Sequence, residues 1–211
     1  PNGGVSRVVI QPPAFQTAEI HIRGTSPYVQ HKFSDKARRI MREKHEAGSL
    51  QAGKNRKKEP RDFTADCLNA THYSTDGWIG MPASCFRNAA ISACRTVGFK
   101  MTLAKLSLFV EADGYDPDGT PLVKIINKPR KNPPILPVRN ETGVIDLRCR
   151  PMWDVGWEAK PRIRWDSDQF TASDVVNLMD RAGQQVGIGE GRPDSPNSNG
   201  QGWGTFRVVQ S

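Results

Sequence analysis

No stretch of this 211-residue chain approaches the ~18 apolar residues that a membrane-spanning helix needs. Only 36% of its residues are hydrophobic, and its mean hydropathy is −0.58. The expectation is a protein with no membrane partner. The start carries no secretory pattern: Pro1–Ser6 is polar and glycine-rich, and Val8–Ile10 is too short for an apolar signal core. A cytoplasmic location follows as an expectation. Cysteine and histidine are also scarce. Cys67, Cys85, Cys94 and Cys149 form no CxxC pair, and His21, His31, His45 and His72 fit neither HxxxH nor HExxH spacing. A zinc site or a disulfide framework is therefore not expected, and the thiols read as small buried groups in a reducing compartment. There is no GK[ST] phosphate loop and no repeat at a fixed period, so no nucleotide cofactor is expected. Acidic residues are in deficit, 22 against 30 Lys+Arg, giving a net charge of +8. That balance suits a polyanionic partner, although a basic enzyme or structural protein would share it.

What is present reads as a flexible arm over 1–16 and one domain over 17–211. Ala18–Arg23 alternates apolar Ala18, Ile20 and Ile22 with polar Glu19, His21 and Arg23, the period of a half-buried strand. Gly24–Pro27 ends it. Ser34 can cap a helix to about Ala47, and a basic insertion at about 48–61 follows, with Lys54, Arg56 and Lys57 and almost no apolar residues. A short helix is expected over Phe63–His72. A longer one is expected over Met81–Gly98, with Phe86, Ala90, Ala93 and Val97 on one face. Strands are expected at Leu106–Glu111, Val123–Lys128, Thr142–Arg150 and Trp157–Trp165, with Lys128–Pro137 extended. In the last strand Trp157, Ala159, Pro161, Ile163 and Trp165 should face the core, and Glu158, Lys160, Arg162 and Arg164 the solvent. Thr171 caps a helix through about Gln185, with Asp174 completing a capping-box variant. Glycine-rich Gly187–Gly204 leads to a closing strand, Thr205–Val209.

Two segments carry candidate chemistry. In the first, Gly187, Gly189, Gly191 and Gly202 permit positive φ, so exposed N–H groups could cradle phosphate, with Arg192 to pair and Trp203 to stack. In the second, Ser84 and Arg87 stand in the first turn of a helix, where free N–H groups attract anions. With Arg95 further along, these landmarks resemble the RAMP superfamily, especially the crRNA-backbone subunits of CRISPR effector complexes. Ile20–Pro27 matches the early strand and its Gly/Pro loop, Met81–Arg87 matches the "IPGSSLKGxLR"-like segment, and Gly187–Gly204 matches the Gly-rich loop before the last strand. The chain departs from the pattern at Ala83, at Arg87 and in the Pro193–Asn199 insert.

The resemblance implies an α+β, modified ferredoxin-like (RRM-like) antiparallel sheet with helices on one face, plus insertions. Its first and last strands should then be neighbours or be separated by one strand. It also implies single-stranded nucleic acid as partner, RNA favoured, side-by-side homo-oligomer or filament assembly, and company with other effector-complex subunits. Such a protein, in a prokaryotic host or a phage-infected cell, would bind without catalysis. Metal-independent RNA cleavage is the alternative, with His21 or His31, or Asp66 or Asp76, as candidates. A surface for an acidic protein partner is a third reading.

Overall fold

The computed structural model describes residues 10–32, 42–43, 62–139, 145–195 and 201–209. The basic insertion with Lys54, Arg56 and Lys57, and nearly all of the Ser34–Ala47 segment, lie outside the described residues.

The described chain is a mixed α+β fold with several small antiparallel sheets. It opens with β1 (Phe15–Glu19), β2 (Ile22–Gly24) and β3 (Tyr28–Val29), then α1 (Phe63–Asn69). Next come β4 (Gly80–Pro82), α2 (Ala83–Ala93), α3 (Met101–Ser107) and β5 (Leu108–Glu111). The middle holds β6 (Gly114–Tyr115), β7 (Pro121–Lys124), β8 (Ile135–Arg139), β9 (Ile145–Cys149) and β10 (Met152–Trp153). The chain closes with β11 (Glu158–Ala159), β12 (Arg162–Asp166), α4 (Ala172–Arg181) and β13 (Phe206–Val208).

Two three-stranded ladders, β11-β2-β13 and β1-β12-β5, organise the molecule. Each passes into the other through a two-residue link, Ile20-His21 on one strand pair and Lys160-Pro161 on the other. The Ile20 N–H donates to the Pro161 carbonyl at 3.0 Å and bridges the links. The order across the face is therefore β13, β1/β2, β11/β12, β5. The first and last strands are neighbours, as the sequence predicts: Ile22, Arg23 and Gly24 face Val208, Arg207 and Phe206.

Period-2 alternation explains what this face buries. Ile20, Ile22, Ala159, Ile163 and Trp165 point inward with Trp157 and Phe206, all less than 5% exposed. Helices α2 and α4 cover that side with Phe86, Ala89, Ala90, Ala93, Val175, Leu178 and Met179. The small alanines let α2 come close. Gly24 is required on the strand itself, because a Cβ there would lie 2.1 Å from the Trp157 indole nitrogen. Thr171 and Asp174 form the expected capping box at the start of α4.

Several boundaries differ from expectation. Phe15, expected in the arm, begins β1, and residues 1–9 of that arm lie outside the described residues. Gly80–Pro82 is a strand paired with Leu122–Lys124, so α2 begins only at Ala83. It gives way to a 3-10 turn at Cys94 and stops at Gly98, whose φ is +70°. Val97 is consequently 50% exposed instead of lying on the buried face. The Pro-rich stretch contains β8, which pairs along its length with β9.

Candidate nucleic-acid interface

Gly187, Gly189, Gly191, Gly202 and Gly204 all adopt positive φ, between +65° and +80°. Their role is to wind the loop into the fold. The N–H groups of Gly187, Ile188, Glu190, Trp203 and Gly204 donate to the carbonyls of Ala182, Gly204, Val29, Gly191 and Pro27. Of the four glycine N–H groups expected to cradle phosphate, that of Gly187 is thus spent on the chain itself. Trp203 is half-buried and packs on Gly191, where a Cβ would sit 2.6 Å from its ring. One Arg192 nitrogen donates to the Gly189 carbonyl at 3.2 Å.

The start of α2 does meet this loop, but at Cys85. Burial pushes the Cys85 thiol up to about 11, while Arg192 and the Gly189 backbone pull it the other way. Ser84 beside it is exposed. Arg87 lies two residues on, about 200° around the helix. Its Nε donates to the Leu108 carbonyl at 2.8 Å, a second nitrogen donates to the Lys105 carbonyl, and its guanidinium stacks 5.4 Å from the Phe109 ring. Arg95 is engaged as well, pairing with Asp194 at 2.6 Å and donating to Ser92 Oγ. Asp194 also accepts from the Ser92 hydroxyl, which leads the causes holding its carboxyl below the usual range. Arg95 therefore clamps the glycine loop to α2. Arg87 thus bonds to Leu108 and Lys105 and not to the loop that carries Arg192 and Trp203.

The sheet's open face holds what the sequence reading missed. Arg23 and Arg207 sit directly opposite each other on β2 and β13. The Arg23 side chain is 65% exposed and 3.7 Å from Glu158; Arg207 is exposed, with no acidic partner among the described residues. One step along, Thr25, Thr205 and Ser26 form a chain of hydroxyls. The Thr205 O–H donates to Ser26 Oγ at 2.8 Å, so Thr25 must donate to Thr205, also at 2.8 Å. Ser26 Oγ also accepts the Thr205 N–H at 2.9 Å, with no acceptor for its own proton among the described residues. On the same face His21 Nε2 lies 2.9 Å from Glu158. The available signal was the alternation itself. Once the first and last strands are paired, Arg23-x-Thr25 and Thr205-x-Arg207 must project outward together.

A second polar cluster is buried. His72 Nδ1 is 3.0 Å from Asp116, Lys32 pairs with Asp118 at 3.1 Å, and Gln30 accepts the His72 N–H at 2.8 Å. Burial pushes the His72 imidazole down despite Asp116. Burial alone would raise Asp116, but His72, the amides of Thr120 and Asp118, and Lys32 hold it low. His31 is exposed, yet it is pushed down to about 4, first by desolvation, then by Arg150 and Arg148. Asp66 interacts with buried Arg150, which pairs with Glu190 at 3.0 Å; Asp76 is exposed in a turn. Among the described residues no group of three His, Cys, Asp or Glu side chains could hold a metal, and no helix is long and apolar enough to cross a membrane. No protein-family model matches the chain, and a search of curated proteins finds no match to it either.

Proposed function

We propose that this chain holds single-stranded nucleic acid, RNA in preference, by its sugar-phosphate backbone, and that the strand lies across the open face of the sheet. The observation that carries this reading is the Arg23–Arg207 pair. Like charges directly opposite on neighbouring strands destabilise a sheet. A phosphate between two guanidiniums removes that repulsion and gains charge-assisted hydrogen bonds. The Ser26 hydroxyl, free to donate, and the net charge of +8 add to it.

The strand order supports a ferredoxin-like arrangement. Counting β1/β2, β5, β11/β12 and β13 as first to fourth, the order is fourth-first-third-second, with α2 after the first and α4 after the third. Both helices pack on the inner side, which leaves the outer side to a ligand. The resemblance to the RAMP proteins adds side-by-side assembly along the strand, alone or with other effector subunits, to the proposal. One observation favours the cleaving alternative: His21 now has a placed carboxylate, Glu158, beside Arg23. Incubation with end-labelled RNA separates the two, since binding alone leaves the strand intact.

The test is affinity measured across a salt series. Arg23→Ala and Arg207→Ala should each weaken binding similarly for all sequences and flatten the log–log salt slope by about one contact. Wild-type affinity and slope in both folded variants would move the reading to an acidic protein partner.

A further inference from the structure

We infer that the same open face carries a base-stacking subsite built from Phe15, Arg164 and Phe109; the inference rests on the proposed strand binding. The three residues come from β1, β12 and β5. Thr17, Arg164 and Phe109 share one row across the strands, and Phe15 lies two residues along β1 on the same side. The Arg164 guanidinium stands 4.8 Å from the Phe15 ring and 5.0 Å from the Phe109 ring. The two rings meet edge to face at 5.7 Å, and Arg87 flanks Phe109 on α2.

Two features set this cluster apart from a packed surface patch. Phe15 is 41% exposed although its backbone is fixed, by its pairing with Asp166 and by the Ser167 N–H and hydroxyl, which both donate to the Ala14 carbonyl at 2.8 Å. A held, half-open ring loses little freedom when a planar group covers it. Arg164 is stacked on rings but has no carboxylate partner among the described residues, so its charge remains available to a phosphate. Together they offer a π-face for a base and a cation for the phosphate next to it. Every base has a π-face, so this subsite tolerates sequence, and it requires bases that are not paired in a duplex. Phe15 and Arg23 lie eight residues apart on consecutive strands, roughly 26 Å at the usual rise. The strand would therefore run along β1 and β2, from the stacking end to the Arg23–Arg207 end.

The experiment is a fluorescence-anisotropy titration of the full chain with three labelled strands of equal length: oligouridylate, oligoadenylate and an abasic sugar-phosphate strand. Phe15→Leu keeps an apolar side chain at the strand edge without a π-face; Phe15→Tyr keeps the π-face. Phe15→Leu should weaken both base-bearing strands about 5- to 150-fold, the equivalent of stacking one base, and leave the abasic strand at wild-type affinity. Phe15→Tyr should bind like wild type. Equal loss on all three strands, or no loss on the base-bearing strands, overturns the stacking subsite. In that event abasic binding that still depends on Arg23 leaves the backbone reading standing. If wild-type protein binds none of the strands, both readings fall together.

Discussion

Gly202 and Gly204 stand two residues apart in one loop, both with positive φ, yet they differ in what surrounds them. Among the described residues nothing lies within 4 Å of a Cβ built at Gly202, whereas at Gly204 it would meet the Ile188 carbonyl oxygen at 1.7 Å. Gly202→Ala should therefore cost only the left-handed backbone penalty, about 1–2 kcal/mol. Gly204→Ala adds a backbone clash and should cost several times that, or prevent folding. Urea denaturation of the two variants checks the contrast, and a similar loss in both would refute it. Gly202→Ala has a second use. If the loop cradled phosphate, the substitution would weaken strand binding; with the strand held on the open sheet face instead, affinity should stay at the wild-type value.

At the level of single elements, α4 is the best-defined case. Thr171 accepts the Asp174 N–H, and Asp174 accepts the Thr171 N–H at 2.9 Å. Thr171→Ala should cost about 1 kcal/mol of stability and Thr171→Ser much less, read as the shift in denaturation midpoint at constant m. This start was legible in the sequence because a cap is local: both partners lie within three residues. The other well-read elements are of the same kind, such as the alternating Trp157–Trp165 segment. What was misread depends on distant partners. Pro82 suits a first helical turn, but Gly80–Pro82 is a strand because Leu122–Lys124 lies beside it. The stretch read as extended over Lys128–Pro137 holds a strand, Ile135–Arg139, because β9 pairs with it. Both sides of the proposed interface were visible as strands, but their register was not. Thr25 and Thr205 are 180 residues apart, and no local signal puts Arg23 opposite Arg207. The Gly loop and the start of α2 were recognised as landmarks, yet Arg87, Arg95 and Arg192 were read as free cations. Their carbonyl and carboxylate partners could be found only by folding the chain.

Across the whole molecule, two buried polar groups, His72 and Asp116, and the exposed His31 couple stability to acid. His31, His72 and Asp116 all titrate below their ordinary values, so in each case the native state holds protons less tightly than the unfolded chain does. A depressed group contributes stability above its unfolded value and loses it as pH falls toward its folded one. For His31 that window runs from the ordinary 6.5 down to about 4. Within it the unfolded state binds the extra proton, and stability should rise with pH. Asp116 extends the same trend below the ordinary carboxylate value of 3.8. Protonating His31 puts a third cation beside Arg148 and Arg150, and protonating His72 puts one beside Lys32, in a chain already carrying +8. Thermal melts of wild type should therefore show a falling Tm as pH is lowered through this window. His31→Gln removes one titrating group and keeps a polar side chain, so its Tm should fall less steeply over the same range. His72→Gln should act in the same direction, with some added loss at neutral pH because the Asp116 carboxylate gives up its imidazole partner. If the His31→Gln and His72→Gln profiles both run parallel to wild type through the window, the acid sensitivity does not come from these histidines, and the general repulsion of a basic chain accounts for it instead.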